Sequence, residues 1–216
     1  MEEGGKLPKL GLKEQDVEQV RGFVIHRGWL SGEGQAGLLA DLAPGLAAAP
    51  LVQMEVPGGR RMSVRMSAAG RLGWVADRAG YRYAARHGSG AAWPAIPSSV
   101  LAVWRGVTGL DRAPDCCLIN HYAPDARMGL HQDKDEGDFG FPVVSVSLGA
   151  EALFRMGGVT RAEGTESRWL ASGDVVVIGG AARLAFHGVD RLRGGSSTLL
   201  TDGGRINLTL RVVTSV

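Results

Sequence analysis

The amino-acid sequence predicts a mainly β fold of the α+β class, a sandwich or jelly roll preceded by a helical and basic amino-terminal part. Three observations carry this. Seven short apolar or alternating segments, separated by turn residues, lie after position 115. Glycine fills 33 of the 216 positions, which suits many tight turns. No long periodic apolar helix follows residue 110, so the strands are not interleaved with helices as βαβ units require.

In chain order, residues 1–18 are polar and predict a loosely held lead-in. Phe23-Val24-Ile25 and Trp29-Leu30 read as a short extended segment packed on the main body. Ser31 predicts the N-cap of a helix running through Gln35 to Leu42, interrupted at Pro44, with Leu46 to Ala49 continuing in some helical form. From Met54 to Ser89, arginine mixes with Met62, Met66, Trp74, Tyr81 and Tyr83 among glycine breakers, which predicts hairpins and loops. A second helix is expected from Ser98 or Ser99, either of which can cap it, to Val107. Val100, Leu101, Val103, Trp104 and Val107 form its apolar stripe, and Gly109 ends it. The predicted strands are Cys116 to Tyr122, Val143 to Leu148, Leu153 to Met156, Trp169-Leu170, Val175 to Ile178, Ala185 to Val189 and Arg205 to Val213.

The length suits one large domain or a core with an elaborated amino-terminal part. The change of texture divides the chain into a lead-in (1–18), an extension (19–110) and a β core (111–216). A net charge of +2 gives no sign of a polyanion partner by itself. Residues 55–90, however, hold Arg60, Arg61, Arg65, Arg71, Arg78, Arg82 and Arg86 against only Glu55 and Asp77. Such a segment is either a docking surface for phosphates or a solvated arginine-rich loop region. Cys116 and Cys117 are adjacent and read as reduced strand residues. There is no run of 18 apolar residues, and Met1-Glu2-Glu3-Gly4-Gly5 lacks the plan of a signal peptide. A cytoplasmic protein with no membrane partner is expected.

Chemistry concentrates in His131-Gln132-Asp133-Lys134-Asp135-Glu136. On extended backbone, residues two apart point the same way, so His131 and Asp133 can bite one ion. His187, 54 residues beyond Asp133, is the candidate third ligand, since that separation spans several strands and allows a return to the same place. Two imidazoles and a carboxylate suit Fe(II), Mn(II), Co(II) or Zn(II), so a hydrolytic zinc site stays open on these residues alone. The last strand alternates strictly, placing Arg205, Asn207, Thr209 and Arg211 on one face; an edge strand with a wet polar face is the plain alternative. Leu118, Asn120 and Tyr122 likewise share a face. Two arginines, two asparagines and a tyrosine around one interior suit a dicarboxylate, because a guanidinium fork matches a carboxylate. That favours a keto-acid cosubstrate.

Six ordered blocks carry a resemblance to a known family: Leu118-Ile119-Asn120-His121-Tyr122-Ala123-Pro124, the 131–136 motif, Pro142 to Gly149, Gly173 to Val177, Arg183 to Gly188, and Arg205 to Arg211. Through them the chain resembles the AlkB-type iron(II) and 2-oxoglutarate-dependent dioxygenases. The first hundred residues resemble the family more loosely, in Trp74 and Tyr81 with their basic surroundings.

The resemblance implies a double-stranded β-helix (jelly roll) core, N-terminal helices, and a nucleotide-recognition lid at about residues 54–90. The implied cofactors are Fe(II), 2-oxoglutarate as cosubstrate, and O2. His131, Asp133 and His187 match the iron ligands. Asn120, Tyr122, Arg205, Asn207 and Arg211 match the 2-oxoglutarate pocket, with Arg205 and Tyr122 at the distal carboxylate and Arg211 with Asn120 at the iron-chelating end. Trp74, Tyr81 and Asp135 match residues that hold the damaged base, and Met62, Ser145 and Arg161 resemble secondary substrate contacts.

The implied activity is oxidative demethylation of 1-methyladenine and 3-methylcytosine in single- or double-stranded DNA by a monomer, with succinate and formaldehyde released. RNA or methylated protein as substrate, or a non-catalytic metal-containing binding module, stand as alternatives. His121 and Asp125 depart from the pattern, where an arginine and a glycine are expected; Asp125 adds an acidic group near the mouth, while Arg127 keeps a basic one.

Overall fold

A computed structural model describes residues 16–215. Residues 1–15 of the expected lead-in lie outside the described residues; its last three, 16–18, belong to a strand instead. The elements are β1 (Asp16–Val20), β2 (Phe23–Arg27), α1 (Gly32–Ala48), β3 (Val52–Glu55), β4 (Arg61–Gly70), β5 (Gly73–Asp77), β6 (Gly80–Ala84) and α2 (Ser98–Thr108). They continue with β7 (Cys116–Tyr122), β8 (Met128–His131), β9 (Val143–Gly149), β10 (Glu151–Met156), β11 (Glu166–Leu170), β12 (Val175–Ile178), a 3-10 turn at Gly180–Ala182, β13 (His187–Arg193) and β14 (Arg205–Arg211).

An eight-stranded sheet in the order β1-β2-β12-β9-β14-β7-β4-β3 faces a four-stranded sheet in the order β11-β10-β13-β8, and β5 with β6 makes a separate hairpin. Every pairing is antiparallel. The stretch 19–110, read from the sequence as an extension, is woven into the large sheet: β2 pairs with β12 and β4 with β7.

Both faces of the large sheet are covered, which explains why β9 and β14 are buried along their whole length. One face packs Val144, Val146, Leu148, Leu208 and Leu210 against Leu38 and Leu42 of α1 and Val100, Val103 and Trp104 of α2. The other face meets the small sheet, where Phe23, Met66, Leu118, Phe154, Met156 and Ile178 form a second core. The polar face of β14 therefore looks into the space between the sheets rather than into water.

Several local expectations need correction. Ser31 does cap α1, its Oγ accepting from the Gly34 N–H at 3.1 Å, but the helix starts at Gly32 and runs unbroken through Pro44. Pro44 and Ala40, whose carbonyl loses its partner, both lie on the exposed side, so water can satisfy that oxygen. Neither serine caps α2. Its N-cap is Pro97, and Ser99 instead donates to Asp41 of α1. Gly109 ends α2 in the left-handed conformation at φ 66°, as the sequence predicts. β13 starts at His187, later than expected, and continues to Arg193, while β14 stops at Arg211. β1 and β8 were not foreseen: the first is polar, and the second is four residues long with a glycine inside.

Asp115 closes the end of the large sheet. Its Oδ2 accepts from the N–H groups of Val213 and Thr214, the Thr214 hydroxyl and Arg112, all within 3.2 Å. Burial alone would raise its carboxyl, but these donors outweigh burial and hold it below its ordinary 3.8. A depressed folded-state value adds stability above the unfolded value, and that stability disappears as pH falls through the folded one. Asp115→Asn is expected to cost about 2 kcal/mol at neutral pH, with the difference from wild type shrinking as acid approaches and passes below pH 3.8. Urea denaturation across that range checks it.

Candidate active site

The metal-ligand candidates are brought together by strand register. β13 pairs with β8 so that His187 sits directly opposite His131, and Asp133 follows two residues after β8. Gly188 makes this approach feasible, since a Cβ there would lie 2.7 Å from the Met128 carbonyl oxygen. Ligand atoms of His131, Asp133 and His187 all fall within 4.8 Å of one another. His131 Nε2 is 3.8 Å from Asp133 Oδ1, and His187 Nε2 is 3.6 Å from Asp133 Oδ2.

The donor chemistry fits a metal. Each imidazole uses Nδ1 on a backbone carbonyl, His131 on Gly129 at 2.9 Å and His187 on Ala185 at 3.0 Å. That fixes the proton on Nδ1 and turns the Nε2 lone pair inward. Asp133 Oδ2 is buried without a hydrogen-bond partner, an arrangement that costs several kcal/mol for a carboxylate unless a cation completes it. Burial, followed by neighbouring His187, pushes His131 down to about 4, keeping it a neutral ligand. Burial alone would raise Asp133; Arg211, then the two histidines, outweigh it and hold that carboxyl well below the usual range.

A cavity of roughly 650 Å³ opens beside this triad. Arg205, Asn207, Thr209 and Arg211 line one wall, and β7 brings Tyr122 opposite Arg205 and Asn120 opposite Asn207. Arg205 is 1% exposed, yet its partners are only the Ser147 hydroxyl at 2.7 Å and the carbonyls of Ala150 and Leu170; its Nε has none. Burial pushes this guanidinium down to about 10. Among the described residues no carboxylate pairs with it, so this end of the cavity is built for an anion that comes from outside. Burial pushes the adjacent Tyr122 hydroxyl up to about 12, so it stays a hydrogen-bond donor.

Asn120 donates to Thr209 at 3.3 Å and keeps its buried Oδ1 free, while Asn207 donates to Ser145 and the Val146 carbonyl. At the other end Arg211 donates to Asp133 Oδ1 at 2.7 Å, directly beside the metal candidates. The wall thus runs from a lone cation to the triad, a layout that suits a dicarboxylate.

The β5–β6 hairpin roofs the opening. Trp74 and Tyr81 stack with centroids 5.4 Å apart and planes 14° from parallel. Trp74 Nε1 donates to Asp135 Oδ2 at 2.8 Å, fixing that carboxylate at the mouth. Met62 lines the cavity from β4, and Ser145 lies deeper, against Asn207. Arg161 is exposed, lies over the Phe186 ring at 4.6 Å and donates to the Leu130 carbonyl. All fourteen residues singled out from the sequence border this one cavity. His121 faces away and bonds Asp202 at 2.7 Å.

Nothing in the alternation or spacing of the sequence gives Tyr83, Glu136, Arg183 and Gln132 a role. Arg183 is buried and donates to the Phe141 and Asp133 carbonyls and to Glu136; Gln132 donates to the Leu184 carbonyl at 2.6 Å. Arg183 and Glu136 lie inside the sequence blocks quoted above, but only folded backbone reveals that one side chain braces the other.

The model of the 2OG-Fe(II) oxygenase superfamily matches residues 22–211. An alpha-ketoglutarate-dependent dioxygenase AlkB homolog of Caulobacter vibrioides is 50% identical over 193 residues, covering 89% of this chain and 88% of its own. The alpha-ketoglutarate-dependent dioxygenase AlkB of Escherichia coli is 44% identical over 179 residues, covering 81% and 82%. The solved structure of OsALKBH1 superposes with a TM-score of 0.74 at 29% identity, over 90% of this chain and 99% of that one.

Proposed function

Since the chain belongs to the 2OG-Fe(II) oxygenase superfamily and within it to the AlkB-type dioxygenases, we propose that it oxidatively demethylates N-alkylated bases such as 1-methyladenine and 3-methylcytosine in DNA. The observation that carries the reading is the buried, carboxylate-free Arg205 at one end of a cavity whose other end holds the His131, Asp133 and His187 cluster.

In this reading those three residues hold Fe(II). Iron with 2-oxoglutarate and O2 supplies oxidation of the N-alkyl group, coupled to decarboxylation of the keto acid to succinate, and the oxidised carbon leaves as formaldehyde. Arg205 forks onto the distal carboxylate while Tyr122 donates to it. Asn120, Asn207 and Arg211 orient the remainder toward the metal end. The mostly apolar Leu118, Phe154 and Ile178 keep bulk water from the reacting atoms. The damaged base, whose weakened pairing makes it easier to unstack, enters beneath the hairpin, with Trp74 and His131 on its two faces. Asp135 accepts from its exocyclic amine, and Tyr81 reaches the backbone beside it. Met62 and Arg161 border the strand, and the arginines of β4 to β6 meet the phosphates, which makes binding salt-sensitive.

Support for a nucleic-acid substrate comes from the seven arginines between residues 60 and 86, a feature that DNA and RNA share as partners. All site groups come from one chain, so a monomer suffices, and the two free, buried cysteines suit a reducing cytoplasm. No helix among the described residues is long and apolar enough to cross a membrane. Succinate and formaldehyde release on matched methylated DNA, RNA and peptide tests the reading: turnover on peptide alone would overturn it. Trp74→Ala is expected to raise KM for a methylated oligonucleotide by about tenfold or more, since base stacking is worth roughly 1–3 kcal/mol, while leaving the Kd for 2-oxoglutarate within about twofold. Steady-state kinetics and calorimetry read the two separately.

A further inference from the structure

We propose that Tyr83, on the hairpin that roofs the cavity, is a positioning residue for the cosubstrate: its hydroxyl stands between Arg211 and Glu136 and keeps the Arg211 guanidinium available to an incoming carboxylate. The proposal rests on reading the cavity as the 2-oxoglutarate site.

The Tyr83 hydroxyl donates to Glu136 Oε1 at 2.6 Å and accepts from Arg211 Nη1 at 3.0 Å. The direct separation of Arg211 Nη1 from Glu136 Oε1 is 3.4 Å, longer than a charge-assisted hydrogen bond of about 2.7–2.9 Å. Arg183 occupies the other oxygen of Glu136 at 3.1 Å, so that carboxylate is anchored from behind and fully buried. Arg183 also holds the Asp133 carbonyl at 2.7 Å. Arg211 thus reaches the metal-ligand carboxylate with one nitrogen, Nη2, and touches the roof with the other.

Remove the hydroxyl, and Glu136 loses its donor on Oε1. In a site of low polarity its remaining lone pair is satisfied most readily by Arg211 Nη1, already 3.4 Å away. A full Arg211–Glu136 ion pair would then compete with the cosubstrate carboxylate for the same guanidinium. Tyr83 donates to Glu136 the hydrogen bond that Arg211 would otherwise donate, and it does so from the element that also presents Trp74 and Tyr81 to the substrate. Through this one hydroxyl, the seating of the roof is coupled to the cosubstrate end of the cavity. The Trp74 contact to Asp135 ties the hairpin to the same 133–136 segment without touching Arg211.

The test is 2-oxoglutarate binding to Mn(II)-loaded protein under anaerobic conditions, by calorimetry, for wild type, Tyr83→Phe and Trp74→Ala, with the thermal midpoint of each and KM for 2-oxoglutarate and for methylated oligonucleotide alongside. Tyr83→Phe fills the same space, so it should fold. It is expected to weaken 2-oxoglutarate about tenfold, one charged-group hydrogen bond's worth, with the Mn(II) Kd and the oligonucleotide KM within about twofold of wild type. Trp74→Ala should reverse the pattern. An unchanged 2-oxoglutarate Kd in Tyr83→Phe overturns the proposal, as does an equal loss in both hairpin variants, which would mean general loosening of the roof. Wild-type protein that binds Mn(II) but no 2-oxoglutarate would instead sink the reading of the cavity and the proposal with it.

Discussion

Asp133→Asn is expected to lose tight metal binding and, with it, all measurable turnover. The side chain is the only carboxylate among the three clustered ligand candidates, and its Oδ2 is buried with no hydrogen-bond partner. An amide of the same shape removes the negative charge that offsets a divalent cation and presents an N–H where a lone pair is needed. It also leaves Arg211 without its strongest anionic partner, at 2.7 Å. Altering groups that merely support ligands costs about 10–100-fold in metal affinity, so loss of a ligand should exceed about 100-fold. Metal content after dialysis against Fe(II) or Mn(II), read by elemental analysis, measures it. Wild-type stoichiometry in the variant would refute the assignment of Asp133. His187→Ala should behave alike, because the facing register of β8 and β13 gives no other imidazole that can take its place.

Arg205→Met should separate binding from stability, with opposite signs. The arginine is nearly inaccessible, donates only to a hydroxyl and to carbonyls, and has burial pushing its ionisation down. Without a bound anion this is a cost to the fold, and a buried charge replaced by an apolar side chain of similar length is often neutral or stabilising. With a dicarboxylate present the same charge gains a bidentate partner. Losing one member of such a desolvated pair costs about 2–5 kcal/mol, so the Kd for 2-oxoglutarate should rise by about 30-fold or more. The thermal midpoint of the ligand-free variant should equal or exceed that of wild type, and 2-oxoglutarate should raise the wild-type midpoint only. Unchanged 2-oxoglutarate affinity would mean that the cavity takes its ligand in another way. Metal binding should be unaffected, because Arg205 sits at the far end of the wall from Asp133, six residues along β14 from Arg211.

Much of the site was legible because strand geometry is periodic. In Arg205 to Arg211 and in Leu118 to Tyr122, alternation alone sorts the polar side chains onto one face, and no tertiary information is needed for that step. The apolar stripe of Val100, Val103 and Trp104 likewise marks α2 correctly. Where local signals misled, a neighbour explains why. Pro44 fails to break α1 because the carbonyl it strips of a partner faces water, and Ser99 is drawn from a capping role by Asp41 on the other helix. β8 carries too little pattern in Met128-Gly129-Leu130-His131 to be read as a strand; it exists because β13 pairs with it.

Composition and alternation along the chain specify the chemistry on offer: two imidazoles, a carboxylate, two arginines on one strand face, and an aromatic, arginine-rich stretch ahead of them. Alternation likewise gives β14 one polar and one apolar face. Folding adds that the polar face meets a second sheet rather than solvent, that His131 and His187 stand opposite each other, and that Tyr83 interposes between Arg211 and Glu136. Which way a side chain points along a strand follows from local backbone geometry, whereas what it meets depends on register and packing set by residues 50 to 130 positions away in the chain.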